Sequence, residues 1–136
     1  MLGLVDFAGE WTVARRIADR HGAQSGRFDG TARLTPDGEA ALYHEVGTLH
    51  LGPAATFHAE RRYVWRFEAD TVAVTFADGR PFHRFAPQGR AAGTDHPCGA
   101  DLYRVAYDFT GWPAWESRWR VTGPAKDYEM VTLYTR

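Results

Sequence analysis

The sequence predicts an all-β domain, an antiparallel up-and-down β-barrel of about nine or ten strands with a short N-terminal helical turn. Segment after segment alternates with period two and is rich in Val, Thr, Tyr, Phe and Trp. Turn residues recur at short intervals between those segments. Apart from a helical turn expected near Leu4 to Gly9, no 3.6-residue apolar stripe runs through the chain. So many consecutive antiparallel strands need their edges closed, and a barrel closes them; a sandwich with Greek-key crossings is the alternative. At 136 residues the chain reads as one domain, 1–136.

In chain order, "EWTVARRIADRH" puts Trp11, Val13, Arg15, Ile17 and Asp19 on one strand face. "GRFDGTARLT" follows and ends at the turn Pro36-Asp37-Gly38. "EAALYHEVGTLHL" and "TFHAERRYVWRFE" form a hairpin around "GPAA". Any even register there puts Tyr43 and Glu45 on the face of Arg61, Tyr63 and Trp65, and turns His44, His50, His58 and Glu60 to solvent. "TVAVTFA" and "RPFHRF" meet across Asp78-Gly79, a strong hairpin signal. Pairing Phe76 with Pro81, Val74 with His83 and Val72 with Phe85 turns His83 inward and Phe82 outward with Arg84. Residues 86–100, "APQGRAAGTDHPCGA", read as a long Gly/Pro-rich loop, and loops of that length in compact domains often carry function. Three strands complete the barrel. "DLYRVAYDF" has Asp101, Tyr103, Val105 and Tyr107 on one face, "AWESRWRV" has Trp115, Ser117 and Trp119, and "KDYEMVTLYTR" aligns Lys126, Tyr128, Met130, Thr132 and Tyr134 with Trp119.

Sixteen Lys and Arg against seventeen Asp and Glu leave a net charge of −1, which argues against a nucleic-acid footprint and a polybasic membrane patch. Lys126 is the only lysine and Cys98 the only cysteine, so no internal disulfide forms and a reducing, cytoplasmic setting is expected. No stretch approaches the ~20 apolar residues of a membrane span, and the start lacks a secretory signal pattern.

"FAGEWTVARRI" resembles the Gly-x-Trp opening of lipocalin-like (calycin) barrels, with Gly9, Trp11 and the terminal "YTR" in matching positions. The resemblance implies that the early Trp plugs one end and an Arg from the last strand covers it. Four further motifs are similar to those of a small uncharacterised family of such barrels in bacteria and fungi. They are "RxYxW" (61 to 65), "DGRxFHxF" (78 to 85), "HxCxxDxY" (96 to 103) and "GPxKDY" (123 to 128). That family implies the fold and lends no activity.

The interior so constructed is crowded with Tyr and Trp and seeded with Arg15, Asp19, Glu45, Arg61, His83, Asp101 and Lys126. A lining built for stability alone would be aliphatic, whereas mixed aromatic and polar walls suit a small-molecule pocket. We therefore expect a ligand-binding barrel rather than an enzyme, its ligand small and anionic or aromatic. Tyr43, Tyr63, Trp65, Tyr103, Trp119 and Tyr128 supply walls; Glu45, Arg61, His83, His96, Asp101 and Lys126 supply polar anchors. Glu45 and Arg61, side by side, are read as an internal ion pair or as a ligand-binding Arg. The alternatives are an enzyme using His83 or His96 with Asp101 as acid and base, a haem or metal site through those histidines, and a non-catalytic interaction domain. "HPC" has no metal-ligand spacing, so no metal is assigned and no cofactor is named. Trp112 and Trp115 suit a corner plug or, failing that, a homodimer contact.

Overall fold

Strict alternation carries nearly every predicted strand into the structure, a computed structural model describing residues 1–22 and 24–136. A single helical turn, α1 (Leu4–Phe7), precedes the strands, and the Asp6 carboxylate caps it by accepting the Gly3 N–H at 2.8 Å. The strands are β1 (Gly9–Asp19), β2 (Gln24–Asp37), β3 (Ala40–Leu51), β4 (Ala55–Glu68), β5 (Thr71–Phe76) and β6 (Pro81–Phe85). After them come β7 (Arg90–Ala92), β8 (His96–Cys98), β9 (Asp101–Asp108), β10 (Trp115–Thr122) and β11 (Asp127–Thr135). All pairings are antiparallel, in the order β6-β5-β4-β3-β2-β1-β11-β10-β9-β7, with β8 also on β9. The first strand pairs with the last, as an up-and-down barrel requires.

The stretch 86–100, expected as a loop, holds two short strands instead. β7 runs along Ala106–Asp108 and β8 along Asp101–Tyr103, both antiparallel to β9. Between them the Gly93 N–H donates to Val105 O at 2.9 Å, so 90–98 forms one interrupted stave. At its outer side the Thr94 N–H donates to Arg84 O (2.9 Å) and the Arg84 N–H to Thr94 Oγ1 (2.9 Å), which bridges the seam to β6. The barrel is nearly closed. Gly and Pro punctuation concealed this stave, because Pro97 cannot donate to a ladder and fits only where one edge is free.

One end is plugged with rings. Trp11 is fully buried, its Nε1–H donating to Phe7 O at 2.8 Å, and it meets Trp112 and Trp115 edge-on at 5.5 and 5.8 Å. The Arg136 guanidinium lies 3.8 Å over the Trp11 ring and donates to Ala8 O and Asp6 O. Gly9, at φ +108°, makes the turn from α1 into β1 beneath that guanidinium. The arrangement implied by the Gly-x-Trp resemblance is therefore present, and Trp112 and Trp115 belong to the plug.

Candidate functional site

Beyond the plug the barrel opens into a cavity of about 620 Å³. Its inner part is a polar network whose side chains come from β1, β3 and β11. Arg15 of β1 reaches diagonally across β2 to Glu45 of β3, donating Nη1 to Oε2 at 2.9 Å and Nη2 to Oε1 at 2.7 Å. Between them β2 presents only Gly30 and Ala32, and the guanidinium also lies 5.1 Å over the Phe28 ring. Arg15 Nε–H donates to Thr132 Oγ1 at 2.8 Å. The Tyr43 hydroxyl donates to Glu45 Oε1 at 2.6 Å and lies 2.9 Å from the Tyr134 hydroxyl, which must then donate to it. Burial alone would push the Glu45 carboxyl up, but the Arg15 fork and the Tyr43 hydroxyl outweigh it and hold the group below its usual range. Burial, with the Glu45 charge nearby, pushes Tyr134 up to about 12 and keeps it a neutral donor.

The sequence expectation that Glu45 pairs with Arg61 needs correction. Glu45 and Arg61 do stand opposite each other in the β3–β4 ladder. Arg15 nevertheless takes both carboxylate oxygens, because a buried charge gains more from the fork that is itself buried. Arg61 is exposed, lines the cavity and has no ion-pair or hydrogen-bond partner among the described residues. Asp19 turns out of the cavity, its carboxylate accepting the His21 and Gly22 N–H groups.

Aromatic walls surround the middle of the cavity. Tyr43 and Trp65 stack with centroids 5.8 Å apart, and Phe82 stacks on Trp119 at 4.9 Å and on Tyr63 at 5.6 Å. Phe82 is the residue that alternation misplaced. Val72 faces Phe85 and Val74 faces His83 as expected, but Thr75 faces Pro81, and the extra residue, Phe82, forms a β-bulge that turns it inward. Pro81 was a readable sign, since proline in a sheet marks an edge, a strand start or a bulge.

His83, 6 % exposed, lies between Phe82 and Tyr107, with Nε2 2.7 Å from the Tyr107 hydroxyl. Burial, reinforced by His96 nearby, pushes its pKa down to about 3, so the ring is neutral. Nδ1 has no partner. At the open end His96, Pro97 and Cys98 of β8 line the cavity with Arg61, Tyr103 and Tyr128. Asp101 and Lys126 lie outside the cavity walls: Lys126 Nζ sits 3.0 Å from Asp101 Oδ2 and 3.4 Å from the Tyr103 hydroxyl. His83 and Asp101 therefore have separate partners and do not converge. Of the residues singled out from sequence, Tyr43, Glu45, Arg61, Tyr63, Trp65, His83, His96, Tyr103, Trp119 and Tyr128 come together around one space. No group of three or more His, Cys, Asp or Glu among the described residues could hold a metal ion.

Comparison with known proteins agrees on architecture. The family described as "Family of unknown function (DUF6314)" matches residues 7–136. No curated protein matches the chain. The fold is similar to a crystal structure of a DUF3598-family protein of unknown function from Nostoc punctiforme, at TM-score 0.60 and 14 % identity, covering 98 % of this chain. The chain spans 48 % of that protein's length. It is also similar to the S-type phycobiliprotein lyase CPES from Guillardia theta, at TM-score 0.59 and 11 % identity, covering 96 % of this chain and 87 % of the lyase.

Proposed function

The chain belongs to the DUF6314 family of unknown function, and with no activity to inherit we propose that its barrel binds a small acid with a flat aromatic or conjugated body. The cavity carries this reading. At about 620 Å³ it falls within the roughly 300–1,000 Å³ typical of small-molecule sites. Its inner carboxylate is already paired with Arg15, while Arg61 stands at the same space with no ion-pair partner among the described residues. A ligand anion completes that guanidinium, and a flat body lies against the aromatic wall that Tyr63, Phe82 and Trp119 form by stacking on one another. The neutral His83 and the Asp101–Lys126 pair give no acid–base couple, so binding rather than catalysis is the better reading. On the likeness to a phycobiliprotein lyase, a bilin, which is flat, conjugated and acidic, joins the set of ligands to try.

Calorimetric titration with 2-naphthoate and its neutral analogue 2-naphthylmethanol tests the proposal. The acid is expected to bind more tightly, and Arg61→Gln to weaken the acid by roughly 10-fold or more, as a charge-assisted hydrogen bond is removed. Equal binding of acid and alcohol, or an Arg61→Gln variant that binds the acid unchanged, overturns it.

A further inference from the structure

The cavity holds a second group with an unmet need, which rests on the ligand-binding reading and sharpens it. The Tyr107 hydroxyl bonds His83 Nε2 and has no other partner among the described residues. A phenol is a good donor and a poor acceptor, so it gives its proton to Nε2 and the neutral imidazole carries its own on Nδ1. The Nε2–Cδ2 edge faces the barrel wall, with Tyr107 on one side and Gly93 on the other, where a Cβ would lie 3.6 Å from His83 Cδ2. Nδ1 is on the opposite edge of a ring that lines the cavity; it is buried with no hydrogen-bond partner among the described residues, so a ligand reaches it by displacing the rings packed on His83, Phe82 at 4.7 Å and Trp119 at 4.9 Å. A buried donor left unmet is costly, and such groups in native structures have a reason.

We infer that the His83 Nδ1–H is a recognition donor for the inner end of the ligand, and that the cavity takes a bifunctional acid. Its anionic group meets Arg61, which is exposed, and a neutral acceptor at its far end, a carbonyl oxygen for instance, meets His83, which is buried. Both anchors lie on walls shared with Phe82, Tyr63 and Trp119, so one flat body spans them.

A matched pair of acids separates the possibilities: 6-acetyl-2-naphthoate and 6-isopropenyl-2-naphthoate have nearly the same shape and differ in the acceptor. The wild-type protein is expected to bind the acetyl acid about tenfold more tightly, one hydrogen bond's worth. His83→Phe is expected to bind both acids alike. Tyr107→Phe keeps the imidazole but releases the tautomer, and is expected to narrow the preference. In ¹⁵N NMR of the free protein His83 should appear protonated at Nδ1, and that resonance should move with the acetyl acid only. Equal affinity of the wild type for the two acids, a preference that survives in His83→Phe, or an Nε2-protonated ring overturns the inference while leaving the Arg61 proposal standing. Failure of both acids to bind overturns the ligand-binding reading itself.

Discussion

Glu45 accepts three hydrogen bonds inside the barrel, two from one guanidinium and one from a tyrosine, and every one comes from a buried side chain. Charges placed so deep are stable only as a set. Arg15→Met leaves the Glu45 carboxylate buried with one donor, and is expected to cost about 3–5 kcal/mol in urea unfolding. Arg15→Met combined with Glu45→Leu removes both charges and should recover most of that loss, since apolar replacements of a buried pair are often neutral. A double variant as unstable as the single one would mean that the pair stabilises through something other than mutual compensation. Periodicity placed both residues on the inner face, which was the legible part. The choice of Arg15 over Arg61 was not legible, because alternation fixes faces and neighbouring ladders, whereas Arg15 reaches Glu45 diagonally past Phe28 and over the small Gly30 and Ala32 of β2.

At the scale of elements, β6 and β8 show where a period-two reading loses its hold. A bulge lets one residue join the face of its neighbour while the rest of the strand keeps its order, and nothing in alternation marks where the extra residue enters. Phe82 thus joins Tyr63 and Trp119 on the inside, while Arg84, which alternation had put beside it, stays outside and pairs with Glu68 at 2.8 Å. Truncation tells the two apart. Phe82→Ala opens space among packed rings and is expected to destabilise by about 1–3 kcal/mol, less than the full cost of a completely buried Phe because Phe82 is half-buried. Arg84→Ala breaks one exposed ion pair and should cost no more than ~1 kcal/mol. Comparable losses in thermal unfolding would argue against the inward turn. The hairpin of β8 and the start of β9, residues 95–103, was half legible in the same way. Asp101 and Tyr103 declared a strand, but the three-residue partner His96–Cys98 is too short, and too interrupted by Pro97, to show a period of its own.

Across the whole molecule, stability and openness lie at opposite ends. The plug joins α1, β1, the 109–115 turn and the last residue through Trp11, Trp112, Trp115 and Arg136. Long ladders β1–β2 and β1–β11 run from it. The seam is different: β6 contacts the interrupted stave through the Arg84–Thr94 bonds, and β8 is held along only three residue pairs. Local opening costs least where backbone bonds are few and exposed, so amide exchange should be slowest in the middle of β1, β2 and β11, and faster by roughly 100-fold or more at residues 94–100. Because His96, Pro97 and Cys98 also line the cavity, a bound acid should slow exchange at that seam and leave the plug unchanged. Ligand protection spread evenly over the barrel would instead indicate global stabilisation with no link between seam and site. Exchange at residues 94–100 as slow as in β1 would show that the barrel closes there as firmly as elsewhere, and entry to the cavity would then lie through its open end without any parting of the seam.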